Sequence, residues 1–225
     1  MISCLTAVLF RTAMNRYPSP LRPQLALPSL RNVRGGRLWA AVTLGGLGEA
    51  LRDGIQMVLI PLAATGLGMS SFGAGIALGA LTVTDVVCMQ ISGRATDRFG
   101  RAPVLLLASL TGVVALALSP AVSAPLALIA LCMLMGPSQS AIWVVPPAMV
   151  SDLSEDHEAA VCVYRLAADI AFGFGATGAA ALGSVFGGAN ALAVSAAGFA
   201  VAIVLTVVVG ESNPRRDRPG RARVS

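Results

Sequence analysis

Six mostly apolar stretches of about 20 residues or more, joined by connections that alternate between charged and uncharged, constrain this chain more than any other feature. At about 1.5 Å rise per residue, about 20 helical residues cross the roughly 30 Å hydrocarbon core of a bilayer. The stretches run roughly 38–63, 71–91, 103–120, 125–150, 160–186 and 190–209. Only 12% of the residues are charged and 56% are hydrophobic, whereas a soluble domain carries about 25% charged residues. The expected fold is therefore an all-α polytopic membrane protein with six transmembrane helices.

The connections set the expected topology. One alternating set holds the arginines from Arg11 to Arg37, those from Arg94 to Arg101, the run Ser151–Ala159 and the arginine-rich tail. The other set holds ATGLGMS, the turn at 119–124 and the glycines near Gly187, and carries no charge. Basic loops stay on the cytoplasmic side. Both termini are thus expected in the cytoplasm, with the chain in the cell inner (plasma) membrane. All 16 basic residues are arginines, and all but Arg52 and Arg165 cluster beside spans. Aromatics are only 5%, too few for a base-stacking groove, so the net charge of +5 does not point to nucleic acid. The lipid bilayer is the expected partner.

The domain reading follows. Residues 1–10 form an apolar segment that reads as the remnant of a preceding span. Residues 11–37, with six arginines and four prolines, read as a cytoplasmic linker, 38–210 as the membrane domain and 211–225 as a cytoplasmic tail. The four cysteines are scattered, without CxxC or a neighbouring histidine, and read as small buried hydrophobes. His157, the single histidine, lies in an acidic run and reads as a loop residue.

Between the second and third stretches lies SGRATDRFGRAPV, residues 92–104. Gly93 is expected to end a helix, Gly100 to make a second turn and Pro103 to open the next helix. Asp97 among Arg94, Arg98 and Arg101 is placed to be an ion-pair hub or to sit at a helix N-terminus. This segment resembles the loop signature of the major facilitator superfamily, roughly G-x-L-A-D-R-x-G-R-R. Gly93, Asp97, Arg98, Gly100 and Arg101 match; Ala95, Thr96 and Ala102 depart from the pattern. LIPL at 59–62 and the run from Val150 to Gly175 resemble other parts of that family, although its usual Arg-Gly pair is missing. The resemblance is to the C-terminal six-helix half, with its 3+3 inverted repeat. It implies a secondary transporter closest to drug- and sugar-efflux carriers. It also implies a small-molecule substrate, the proton gradient as energy source and no cofactor. A half-length chain needs a missing N-terminal half, a second subunit or a homodimer to enclose a cavity. An inactive fragment and a non-transporting membrane scaffold stand as alternatives.

Charges inside spans are functional candidates, because each costs around 2.5–3.5 kcal/mol on insertion scales. Glu49, Arg52 and Asp53 share one helix face through i,i+3 and i,i+4 spacings, and Gln56 continues it. Arg52 is expected to neutralise one carboxylate and leave the other to titrate; a purely structural ion pair is the competing reading. Asp85 lies in the second span. Arg165 and Asp169 are expected to pair along the fifth. Asp152 and Glu155 are expected to reach Arg98 or Arg101 and lock a cytoplasmic gate. Ser138, Gln139, Ser140 and Trp143, in a proline-interrupted span, are candidates to line a polar cavity. No HExxH, GxSxG or GxxxxGK occurs, so no enzyme is expected.

Overall fold

In the computed structural model the described residues are 35–212, and they form six helical rods. The expected segment 1–10, most of the linker 11–37 and most of the tail 211–225 lie outside them. The first rod combines α1 (Gly36–Asp53), a π-helical stretch (Gly54–Leu59) and α2 (Ile60–Gly66). The others are α3 (Ser71–Phe99), α4 (Arg101–Ala117), α5 (Pro125–Leu153), α6 (His157–Phe186) and α7 (Gly188–Val209). Five of these helices, α3 to α7, are long and apolar enough to cross a membrane. The first rod differs because Glu49, Arg52 and Asp53 fall together in it, directly before the π-helical stretch.

Local chemistry fixes the ends. The Ser70 hydroxyl accepts from the Gly73 N–H at 3.2 Å and opens α3. The Asp156 carboxylate accepts from the Ala159 N–H at 3.1 Å and opens α6. Pro125 opens α5, where a missing N–H leaves no bond unmade. Gly100, at φ 97°, is the single residue between α3 and α4. That left-handed conformation suits glycine alone among common residues, so the two helices turn there and not at Gly93. Gly93 lies inside α3, and α4 begins at Arg101, two residues before Pro103. Pro61 sits just past the π-helical stretch, where its missing N–H and the wider turn interrupt the α-ladder of the first rod.

α5 is the central helix and packs against α1, α3, α4 and α6. Its buried residues include Met135, Gln139, Ile142 and Met149. α1 and α6 meet through small residues. A Cβ on Gly54 would fall 2.8 Å from the Gly175 carbonyl oxygen, and one on Gly175 would strike the Ala50 backbone. Small residues let helices approach closely where lipid offers no hydrophobic drive to associate. Gly75, Gly79, Gly173 and Gly178 do not work this way, because a Cβ on any of them meets nothing within 4 Å among the described residues. α3 and α6 flank the bundle. Val83, Val87 and Ile91 on α3 and Leu166, Ile170 and Phe174 on α6 stand exposed. An apolar surface that continuous suits acyl chains and would aggregate in water.

Candidate functional site

Arg52 lies about 24 Å along its rod from Gly36, and Asp85 about 21 Å from the Phe99 end of α3, at about 1.5 Å per residue. Both are deep within the bundle. Arg52 Nη2 donates to Asp85 Oδ2 at 2.6 Å. Asp85 is 2% exposed. The guanidinium also lies over the Trp143 ring of α5, 5.0 Å from its centroid, a cation–π geometry. Three helices therefore converge on one arginine.

This pairing corrects the expectation for the first rod. Glu49 and Asp53 share Arg52's turn, but the guanidinium bonds Asp85 on α3 and neither of them. Gly45 packs on the Tyr164 ring, Gly46 on Ala171 and Gly54 on Gly175, so that side of the rod faces α6. Glu49 and Asp53 follow Gly45 at four-residue spacing and lie on this side. Asp53 is 6% exposed, and neither carboxylate makes an ion pair among the described residues. Spacing along one helix put all three charges on one face. Packing gives the ion pair to another helix, because the long arginine side chain reaches Asp85 on α3.

A second cluster closes the arginine-bearing end. Arg101 Nε pairs with Asp152 Oδ2 at 2.9 Å. The Glu211 carboxylate accepts from the backbone N–H groups of Arg101 at 3.0 Å and Ala102 at 3.4 Å. It thereby neutralises the positive end of α4. Arg37 Nε donates to the Val209 carbonyl at 2.7 Å and its Nη2 to the Glu211 carbonyl at 2.8 Å. The Ser212 hydroxyl reaches Asp152 at 3.4 Å. The start of α1, the N-terminus of α4 and the ends of α5 and α7 are thus tied by one network.

The family model of the Major Facilitator Superfamily matches residues 39–224. The chain belongs to the major facilitator superfamily. No curated protein matches it. Membership makes it a multi-pass membrane transport protein, and its apolar helices place it in a bilayer.

In this superfamily member the signature residues take positions that the sequence only partly indicated. Gly93 is helical and Asp97 stands exposed in the last turn of α3. Asp97 makes no ion pair among the described residues. Arg98 lies over the Phe99 ring at 5.3 Å and not on Asp152, and Glu155 makes no ion pair among the described residues. Gly100 and Arg101 carry the turn and the bridge. Arg165 and Asp169 do pair, at 3.4 Å, and are each 62% exposed. Gln56 remains on the first rod, half-buried, with its Nε2 unpaired among the described residues. Two residues gained importance. Asp85 was visible as a charge in a span, but its partner was not. Glu211 has one signal in the sequence, an acid directly after the glycine that ends the last apolar run.

Proposed function

We propose that this chain is the C-terminal six-helix half of a proton-driven secondary transporter that exports a small molecule. One observation carries the reading. Arg52 is bonded to Asp85, and neither Glu49 nor Asp53, on the same turns of the rod, makes an ion pair among the described residues. An ionisable group inside a membrane is costly and marks proton relays and substrate paths, and protonating a carboxylate changes what it can bind. In this reading Glu49 and Asp53 carry the coupling proton. Arg52 and Gln56 face the solute. The Arg101–Asp152 bridge and the Glu211 cap hold the cytoplasmic gate shut, and Arg165, Asp169 and Asp97 line its approach. Alternating access requires that network to break and re-form.

The export direction rests on the resemblance to drug- and sugar-efflux carriers. The cytoplasmic placement of both ends and the inner (plasma) membrane location rest on the arginine distribution. No cofactor enters; the proton gradient supplies the energy. The opposite wall of the cavity comes from an N-terminal half, a second subunit or a second copy.

The test is gradient-dependent movement in inverted vesicles carrying the chain, with a panel of cationic dyes and sugars. Glu49→Gln and Asp53→Asn are compared with the unaltered chain. Gradient-driven movement that both substitutions reduce at least tenfold supports the reading. Movement that survives both refutes proton coupling through these carboxylates; no movement by a correctly inserted chain refutes transport by paired copies of this chain and favours a non-transporting scaffold or a separate second half.

A further inference from the structure

The first rod, α6 and α7 leave a cleft of about 160 Å³ between them. Two tight contacts and the small residues between them create it. A Cβ on Gly198 of α7 would strike the Leu51 side chain, and one on Gly188 would strike the Ala63 backbone. α7 is thus held against the rod at two levels about 15 Å apart along its axis. Between those levels the three helices present Gly54, Gly175, Gly178, Ala179 and Ser195. Side chains that small do not fill the space among three helices at the density of a packed interior.

The walls define what can enter. No charged residue lines the cleft, and Ser195 carries the one side-chain hydroxyl among its described lining residues. That hydroxyl already donates to the Ala191 carbonyl at 2.9 Å. A buried water needs about two to four polar partners, which these side chains do not offer. Left empty, the lining would forfeit its dispersion contacts on one side. An apolar cavity of roughly 150 Å³ takes an apolar guest as large as benzene.

The mouth opens on lipid. Leu166, Ile170, Phe174 and Gly178 follow one another at four-residue spacing on α6 and are all exposed. The first three belong to the apolar surface that suits acyl chains, and Phe174 and Gly178 also line the cleft. A Cβ on Gly178 meets nothing within 4 Å, so the way in lies beside it. Gly178 is about 12 Å along α6 from Phe186, close to the middle of a hydrocarbon core about 30 Å thick. Lipid headgroups do not lie at that depth; the ends of acyl chains do. We infer that the cleft is a lipid site that takes the methyl-end part of one phospholipid acyl chain, entering between Phe174 and Gly178. The inference rests on the placement of the helices in a bilayer and not on the transporter reading.

Photolabelling tests it. The full chain is placed in phosphatidylcholine nanodiscs containing a trace of phosphatidylcholine with a diazirine near the methyl end of one chain. After irradiation, adducts are mapped by peptide mass spectrometry. Ser195 is 8% exposed, so a chain that stays on the outer surface does not reach it. Adducts are expected on Ser195 as well as on exposed Phe174 and Val201. Gly178→Leu fills the open mouth, and Ser195 labelling should fall about tenfold while Val201 labelling is unchanged. Gly173→Leu, also open on its side but outside the cleft, should leave Ser195 labelling as it was. A lipid with the diazirine beside the glycerol should label Ser195 weakly, a comparison that needs no variant. Labelling of Phe174 without Ser195 overturns the inference and identifies a helix of a second half or second copy, or nothing, at the cleft. Ser195 labelling that is unchanged in Gly178→Leu, or equal for both diazirine positions, overturns it as well.

Discussion

Asp85→Leu isolates the one bond on which the site's organisation turns. The substitution strands the Arg52 guanidinium, whose side chain is 19% exposed, beside an apolar residue. Removing one partner of a buried pair costs about 3–5 kcal/mol, because the survivor is left charged and uncompensated. The Trp143 face retains about 1 kcal/mol of cation–π attraction. The expected loss is therefore about 2–4 kcal/mol. Arg52→Met is expected to be milder, since a stranded carboxyl can be neutralised by a proton and a guanidinium cannot. The double variant Arg52→Met/Asp85→Leu removes both charges and both desolvation penalties. It should return to within about 1 kcal/mol of the unaltered chain. Reversible unfolding in mixed micelles, titrated with denaturing detergent, measures all four corners of this cycle. The coupling energy should be favourable by at least about 1.5 kcal/mol, in the range measured for contacting residues. A single Asp85→Leu variant as stable as the unaltered chain would refute the argument. So would a double variant as weak as Asp85→Leu, which would mean that the leucine and not the lost bond was responsible.

Three further outcomes follow from the geometry. Gly175→Val places a side chain against the Ala50 backbone and should cost about 1–3 kcal/mol in the same assay, whereas Gly173→Val, open on its side, should be nearly neutral. Equal effects at the two positions would contradict the α1–α6 packing. Asp156→Ala removes the cap that accepts from Ala159 and should cost about 1 kcal/mol. Asp156→Asn should restore most of it, and a loss unrelieved by asparagine would argue against the cap. Glu211→Gln keeps the shape but removes the charge at the N-terminus of α4. It should lose about 0.5–1 kcal/mol in low salt and less in high salt; a salt-independent loss would exclude the helix-end account.

The helices were legible because length and apolarity suffice to announce a span. Their ends were less so. Gly93 and Gly100 both looked able to stop α3, and the decision lies in contacts that sequence does not display. The Thr96 hydroxyl bonds the Gly93 carbonyl at 2.8 Å, and Ser92 ties to Ser140 on α5. The helix is thus held past Gly93, and the left-handed turn falls to Gly100. Charge topology indicated Arg101–Asp152, since alternate connections lie on one side of the bundle. It did not indicate Arg52–Asp85. An i,i+3 or i,i+4 spacing is visible along one helix, but the register between two helices is set by small residues such as Gly48 and Gly136, whose role appears only in the packed structure.

That register gives the first rod two working faces. Glu49 and Asp53 lie toward α6, and Arg52 reaches α3 and α5, all within two turns of one helix. The α6 side is pinned by close backbone contact at Gly54 and Gly175. The α3 and α5 side is pinned by one ion pair and one aromatic face. A helix is rigid over two turns, so a rotation of the rod that follows a change at one face necessarily displaces the groups on the other. The π-helical stretch and Pro61 lie directly above, where the α-ladder is interrupted. Bending there separates Ile60–Gly66 from the charged turn below it. In the proposed transporter, movement at the uncharged end and events at Glu49 and Asp53 are therefore joined by a single element, and coupling between them needs no relay through the rest of the bundle.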